Sequence, residues 1–357
     1  MNIEVKTDLW NYLRSADKPI LMYGMGNGAD KILKVCDAYG IEIADFFASD
    51  GFVRGHSFHG KTVLSYSQAK EKHESFIVLL SFASSLPDVI ENIKRISTEN
   101  ELYAPDVPVF GSNLFNMEFF EAHRSEFERA YSLLADERSQ FVFENVINYK
   151  LSGKIDYLFA CDDEEASVVS ELVKPKEIKR YIDLGAYNGD TVRSLMSYTD
   201  TLEEVIAFEP DRRNHKKLSD FAEATKSPAI KAHKLGAWSH ADTLFFDASG
   251  NRNANLSTEG GAKLTEIEVN SIDNIASDFA PDYVKYDVEG SELEALIGSR
   301  EIIKKHSPKL LVSVYHRSED LYKLPLLIKE LNPDYKLYLR KLRYIPAWDL
   351  NMYALKG

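Results

Sequence analysis

The chain has 357 residues, a length that points to two domains, and its 44% hydrophobic content supports ordinary packed cores. Its 43 Lys and Arg against 56 Asp and Glu leave a net charge of −13, which argues against a general nucleic-acid binder or a polybasic membrane anchor, because both need a basic surface. Two cysteines, Cys36 and Cys161, are too few for a disulfide framework, the N-terminal segment has no signal-peptide core, and no apolar run approaches a membrane span, so a soluble cytoplasmic protein is expected.

Residues 1–15 pattern as a short helix with Leu9, Trp10 and Leu13 on one face, broken by Pro19. A strand at 20–23 runs into Gly24-Met25-Gly26-Asn27-Gly28, and Ile32, Leu33, Val35, Cys36 and Tyr39 then fit a helix ending at Gly40. Strand signals at 41–47, 63–64, 76–80 and 107–110, with a helix at 86–97, predict a smaller Rossmann-like α/β domain over 1–112 with a parallel sheet. From 113 to 175 helix formers dominate, with Phe119, Phe120, Phe127, Tyr131, Phe143 and Val146 spaced to face a core, which predicts a helical connector. A more regular alternation fills 176–357. Strands are expected at 178–184, 203–209, 230–236, 242–247, 264–269, 282–287 and 308–314, and helices at 189–199, 211–225, 271–277, 291–306 and 318–331. Runs at 335–342 and 350–355 read as a terminal β-hairpin.

Three segments carry chemistry. Tyr181-Ile182-Asp183-Leu184-Gly185-Ala186-Tyr187-Asn188-Gly189-Asp190-Thr191 is an apolar strand that runs into glycines and opens a helix. Glycines there let the backbone approach a ligand, and the helix N-terminus offers unpaired N–H groups. Asp183 precedes the first glycine, where a dinucleotide fingerprint leaves the approach open to a pyrophosphate. An early carboxylate suits a ligand with an ammonium group, such as the methionine end of S-adenosylmethionine. Val205-Ile206-Ala207-Phe208-Glu209-Pro210-Asp211 ends a second strand in Glu209, placed to bind both hydroxyls of a ribose. Asp211 is a weaker cofactor candidate and reads better as a helix N-terminal acid. Finally, Asp282 to Glu292 presents Lys285, Asp287 and Glu289 at alternate positions, hence on one face. Three charged groups on an inner strand are costly to bury without pairing or function. A structural Lys285–Asp287 or Lys285–Glu289 pair is the plainer alternative.

In combination, IDLGAYNGDT, VIAFEPD, LGAWS, VNSIDNI and VKYDVEGSELEALIG resemble the FkbM family of S-adenosylmethionine-dependent methyltransferases over residues 176–357. The resemblance implies a class I methyltransferase fold, a Rossmann-like doubly wound sheet with an antiparallel terminal hairpin. It implies S-adenosyl-L-methionine as cofactor and O-methylation of a sugar, glycoconjugate or polyketide-like acceptor. Asp183, Gly185, Ala186, Asn188, Gly189, Asp190 and Thr191 would surround the methionine, Glu209 the ribose, and Gly236, Ala237 and Trp238 the adenine. Asp273 in VNSIDNI would be structural. Asp287 or His316 would serve as base, with Glu289 next and Lys285 as an orienting group. His316 stands where the family more often has an acid. Some sugar methyltransferases use a divalent metal, which Asp287 and other carboxylates could hold, but no ligand spacing requires one, and no metal is assigned.

The N-terminal half is similar to the small Rossmann-like domain that precedes some sugar-modifying enzymes. A domain for substrate recognition or dimerisation, with dinucleotide binding lost, is the preferred reading, and its glycine turn, with Asp45 and Asp50 as candidate ribose acids, leaves a dinucleotide-dependent enzyme as one alternative. A catalytically silent binding protein of methyltransferase fold is the other. The expected partner is a small-molecule or glycan acceptor, in a pocket drawing on the N-terminal domain, the 115–172 helices and the loop 247–262. A homo-oligomer is left open.

Overall fold

Apolar runs in the first part of the chain become strands because both of their faces are covered. The computed structural model describes residues 1–53, 55–247 and 264–357. In it, Leu64–Ser65, Asp45–Ala48, Ile20–Tyr23, Ile77–Leu80 and Glu101–Tyr103 lie in that order as a parallel sheet. Its three central strands are buried throughout, as expected of a sheet flanked by crossover helices. Asn27–Tyr39, Tyr66–Lys72 and Pro87–Glu99 supply those helices. The last strand is Glu101–Tyr103, not the expected 107–110. Pro105 and Pro108 have no N–H to give a sheet. The segment is instead a strap to the second half of the chain, where the Phe110 N–H donates to the His316 carbonyl at 3.0 Å.

The second sheet has eight strands. Their order is Ala229–His233, Glu204–Phe208, Arg180–Leu184, Tyr283–Tyr286, Lys309–Ser313, Leu350–Lys356, Tyr335–Leu342 and Asp162–Asp163. Only Leu350–Lys356 runs antiparallel to its neighbours. Chain order reverses between Arg180–Leu184 and Tyr283–Tyr286, so a crevice opens at their carboxyl ends, the usual ligand position of such sheets. The expected strands at 242–247 and 264–269 form a separate antiparallel pair, Asp242–Asp247 with Leu264–Asn270, joined by Gly236–Ala237 outside the main sheet. The expected helix 291–306 is two helices, Glu292–Ile297 and Arg300–His306. A Cβ at Gly298, between them, would lie 2.0 Å from the Trp238 carbonyl oxygen, so the chain bends where it must pass that backbone. Asp273 accepts from the Glu301 and Ile302 N–H groups and caps the second of these helices.

Helices between the sheets, chiefly Arg124–Ser132 and Glu137–Ser152, pack into one hydrophobic core with Val78, Val284, Leu337 and Leu339 from both sheets. Charged pairs fasten the second of these helices to the sheet and the last strand to its neighbour. Arg340 donates to Asp136 Oδ2 at 2.6 Å and to Ser139 Oγ at 2.9 Å. The Lys341 ammonium, with a side chain 0% exposed, lies 2.5 Å from Asp162 Oδ1. Among the described residues, no helix is long and apolar enough to cross a membrane. Removing one member of a buried pair leaves an uncompensated charge, at a cost of about 3–5 kcal/mol. Asp162→Ala is therefore expected to lower the unfolding free energy by about that amount in urea denaturation, whereas an unchanged midpoint would show that Lys341 finds another partner.

Candidate active site

Parallel pairing sets Lys285 opposite Asp183 across the reversal point of the sheet. Side chains in register share a face, and the Lys285 ammonium sits 3.6 Å from Asp183 Oδ1 and 3.4 Å from Asp287 Oδ2. Burial alone would lower the Lys285 pKa, but the two carboxylates reverse this and hold it above its ordinary value. Asp183 is 0% exposed, and burial raises its pKa. Its Oδ2 accepts from the Thr191 hydroxyl. The charge of Asp183 is thus met by Lys285 within the protein, whereas the sequence had suggested direct contact with a ligand ammonium.

The loop after this strand is tightly drawn in. Gly185 and Ala186 donate their N–H groups to the Phe208 carbonyl. Gly185 has φ +79°, and a Cβ there would meet the Asp287 carbonyl oxygen at 1.9 Å. Gly189, at φ +86°, opens the helix Asp190–Tyr198. Asn188 accepts weakly from Arg193, and Asp190 caps the Thr191 N–H. Beneath this loop lies Glu209. Its Oε2 accepts from the Tyr187 N–H and its Oε1 from the Asp211 N–H, both at 2.9 Å. Burial pushes its carboxyl up to about 7. Asp211 caps the helix Arg212–Ala224 by accepting at Oδ1 from the N–H groups of Arg213 and Asn214. Gly236 and Ala237 form a short strand beside Leu264–Asn270, and the half-buried Trp238 follows.

Asp287 begins a second cluster. Its Oδ1 accepts from the Ser313 hydroxyl at 3.0 Å and the Tyr315 hydroxyl at 3.4 Å. Burial would raise its pKa, but Lys285, His316 and Ser313 more than offset this and keep it low. His316 is 0% exposed. Its Nε2 lies 3.7 Å from Asp287 Oδ1 and 3.4 Å from Glu289 Oε2, and its Nδ1 lies 2.9 Å from Glu292 Oε1. Burial would lower the imidazole pKa, yet Glu292, Asp287 and Glu289 push it up to about 9. The Phe110 ring packs edge-on against His316 at 5.8 Å, and Asp320 is buried nearby. Glu289 is half exposed at the mouth and has φ +52°, an uncommon value outside glycine.

The four catalytic candidates therefore meet in one place, with Asp183 and Gly185 beside them. Sequence reasoning missed Ser313, Tyr315, Glu292, Asp320 and Phe110. Glu292 stands inside the quoted DVEGSE run and could have been read there. Ser313, Tyr315 and Asp320 lie within four residues of His316, and Phe110 comes from a separate segment. In the N-terminal domain the glycine turn is filled by its own chain. A Cβ at Gly24 would lie 2.7 Å from the Phe82 ring, and one at Gly28 would lie 2.0 Å from the Ser81 carbonyl. Asp45 pairs with Lys72 and His73, and Asp50 with Ser67. A cavity of about 200 Å³ lies between this turn and the terminal hairpin loop, lined by Met25, Phe82, Pro346 and Trp348 among others. A larger one of about 390 Å³ lies by Glu204, Ala229 and Ser277, at the opposite ends of the strands from Asp183 and Asp287. The loop 247–262, expected to border the acceptor, lies outside the described residues from 248 on.

The order of strands, with one antiparallel member, and the acid-and-glycine crevice define a methyltransferase fold. Residues 183–346 match the family model described as the methyltransferase FkbM domain. The structure is similar to the crystal structure of methyltransferase FkbM from Methylobacillus flagellatus KT. The TM-score is 0.74 and the identity 22%, over 96% of this chain and 91% of that one, which establishes the shared fold. A putative caffeoyl-CoA O-methyltransferase from Staphylococcus aureus aligns with TM-score 0.33 and 10% identity, over 67% of this chain and 98% of that one. Aeropyrum pernix fibrillarin in complex with natively bound S-adenosyl-L-methionine gives 0.31 and 14%, over 50% and 66%. Neither of the last two is close enough in shape to carry an argument. No curated protein matches the sequence.

Gly185→Ala would force a side chain to φ +79° against the Asp287 carbonyl. The backbone term alone is about 1–3 kcal/mol. A lower urea midpoint is expected, and an unchanged one would mean that the loop does not depend on this approach.

Proposed function

We propose that the protein is an S-adenosylmethionine-dependent methyltransferase acting on a hydroxyl of a sugar, glycoconjugate or polyketide-like small molecule. Glu209 carries this reading. Its two oxygens are held by one backbone N–H each, and a carboxylate offers about four acceptor sites, so capacity remains for a pair of ribose hydroxyls. The helix N-terminus after Gly189 also fits such a ligand. The loop 185–191 would hold its methionine end, Glu209 its ribose, and Gly236, Ala237 and Trp238 its adenine. S-adenosylmethionine, when bound, supplies a methyl group activated by a sulfonium.

Asp287 takes the acceptor's hydroxyl proton. Its side chain is 32% exposed at the end of its strand, whereas that of His316 is 0% exposed behind it. His316 positions Asp287, and Lys285 ties it to Asp183. Aromatic rings lead away from Asp287. Tyr315 and Trp348 stack at 6.5 Å, and Trp348 lies 5.6 Å from Tyr344. They run toward the cavity shared with the N-terminal domain, and aromatic-lined clefts with a few polar groups suit small organic acceptors.

General base catalysis contributes about 10²–10⁴-fold. Asp287→Asn is expected to slow methyl transfer by that order while S-adenosylhomocysteine still binds, with product formation on an acceptor panel followed by mass spectrometry. Normal turnover would remove Asp287 from the base role. Burial sets the Glu209 carboxyl at about 7, and hydroxyl donors favour its ionised form. Affinity for S-adenosylhomocysteine should therefore fall as pH drops below about 7, approaching tenfold per pH unit, with a proton released on binding in that range. Affinity that is flat between about pH 5.5 and 8.5 would contradict the role given to Glu209.

A further inference from the structure

We propose that Asp287, Glu292 and His316 bind one divalent cation of the Mn²⁺ kind. The binding stands on these three residues, while its use in catalysis rests on the methyltransferase reading above. One ligand atom from each residue lies within 4.8 Å of the other two. Metal bonds of about 2.0–2.4 Å to oxygen or nitrogen place opposite ligands about 4.0–4.8 Å apart, so one ion can reach all three.

The second observation is an absence of partners. Nε2 of His316 and Oε2 of Glu292 are buried without a hydrogen bond, and their side chains are 0% and 1% exposed. Buried polar atoms nearly always have a partner, and here two without one belong to neighbouring side chains. Nδ1 of His316 lies 2.9 Å from Glu292 Oε1, which also accepts from the Val288 N–H, so Nε2 is the ring nitrogen left for an ion. The charge balance points the same way. Asp287, Glu289 and Glu292 converge on one imidazole, with Asp320 buried close by, and the Lys285 ammonium is shared with Asp183. Converging carboxylates in a buried place repel one another unless a cation stands between them, a place that the His316 imidazolium fills until a metal ion replaces its proton. Glu289, half exposed at the mouth, leaves an entry path and a further oxygen.

Two carboxylates and one imidazole suit Mn²⁺ and its first-row neighbours better than thiolate-seeking ions. At this position the ion would meet the acceptor oxygen beside Asp287 and make its hydroxyl more acidic. That favours acceptors with two adjacent oxygens, such as vicinal diols, which can chelate.

The test is titration of the full chain with MnCl₂, followed by loss of the free-ion electron paramagnetic resonance signal, beside a calorimetric titration with S-adenosylhomocysteine. One ion per chain is expected, with ¹⁴N coupling from a coordinated imidazole in the spin-echo spectrum. Asp287→Asn and Glu292→Gln should each weaken it at least about tenfold, and His316→Ala should remove the nitrogen coupling. Circular dichroism identifies any variant that is unfolded, and the partly exposed Asp287 gives a change that the fold tolerates best. No Mn²⁺ at millimolar concentration overturns the site, as does bound ion without nitrogen coupling or indifferent to both carboxamide variants. S-adenosylhomocysteine binding without Mn²⁺ overturns the cation site alone. Mn²⁺ binding without S-adenosylhomocysteine supports the cation site and overturns the methyltransferase reading.

Discussion

One buried ammonium organises this molecule. Lys285 lies between Asp183 and Asp287, at the point where strand order reverses. Stripping three charges of water is expensive, and mutual attraction repays it only when the geometry is fixed. Register supplies that geometry, because Lys285 and Asp183 are opposite one another in adjacent parallel strands. Asp287 follows two residues later, just past the strand end. The same closeness leaves no room for a side chain at Gly185, which faces the Asp287 backbone. The electrostatic pair and the glycine loop are thus two aspects of one packing constraint.

The rest of the chain encloses this centre. The strap that leaves the first sheet places the Phe110 ring over His316 and against Gly290, whose absent Cβ would lie 2.9 Å from that ring. The Arg317 guanidinium donates to the Gly290 carbonyl at 2.8 Å and steadies the same turn. The first sheet contributes a wall beside Trp348. Its glycine turn, which by sequence could pass for a nucleotide site, is closed by Ser81 and Phe82. A similar motif thus serves packing in one half of the chain, whereas in the other its loop stands over the Glu209 carboxylate.

Much of this was legible in the sequence, for identifiable reasons. Asp183, Glu209 and Asp287 each end an apolar run, and the carboxyl end of a buried strand is where such folds bind ligands. The alternate charged residues after Asp282 announced a shared face. Sequence periodicity does not say which strands become neighbours, however, so it could not show that Lys285 would neutralise Asp183 rather than leave it to a ligand. Ser313, Tyr315 and Asp320 reach the site through pairings and turns far along the chain. Residues 107–110 looked like a strand because Val107, Val109 and Phe110 are apolar, but Phe110 is apolar in order to cover His316. Asp211 was ambiguous between cofactor and helix cap, and its hydrogen bonds are those of a cap.

The central claim is that the crevice beside Asp183 and Glu209 holds S-adenosylmethionine. Its most direct test is calorimetric titration of the protein with S-adenosylhomocysteine and, separately, with NAD, each repeated on Glu209→Ala. The account predicts one S-adenosylhomocysteine per chain, lost in the variant, and no NAD binding. Absence of S-adenosylhomocysteine binding, or NAD binding indifferent to Glu209, would contradict it.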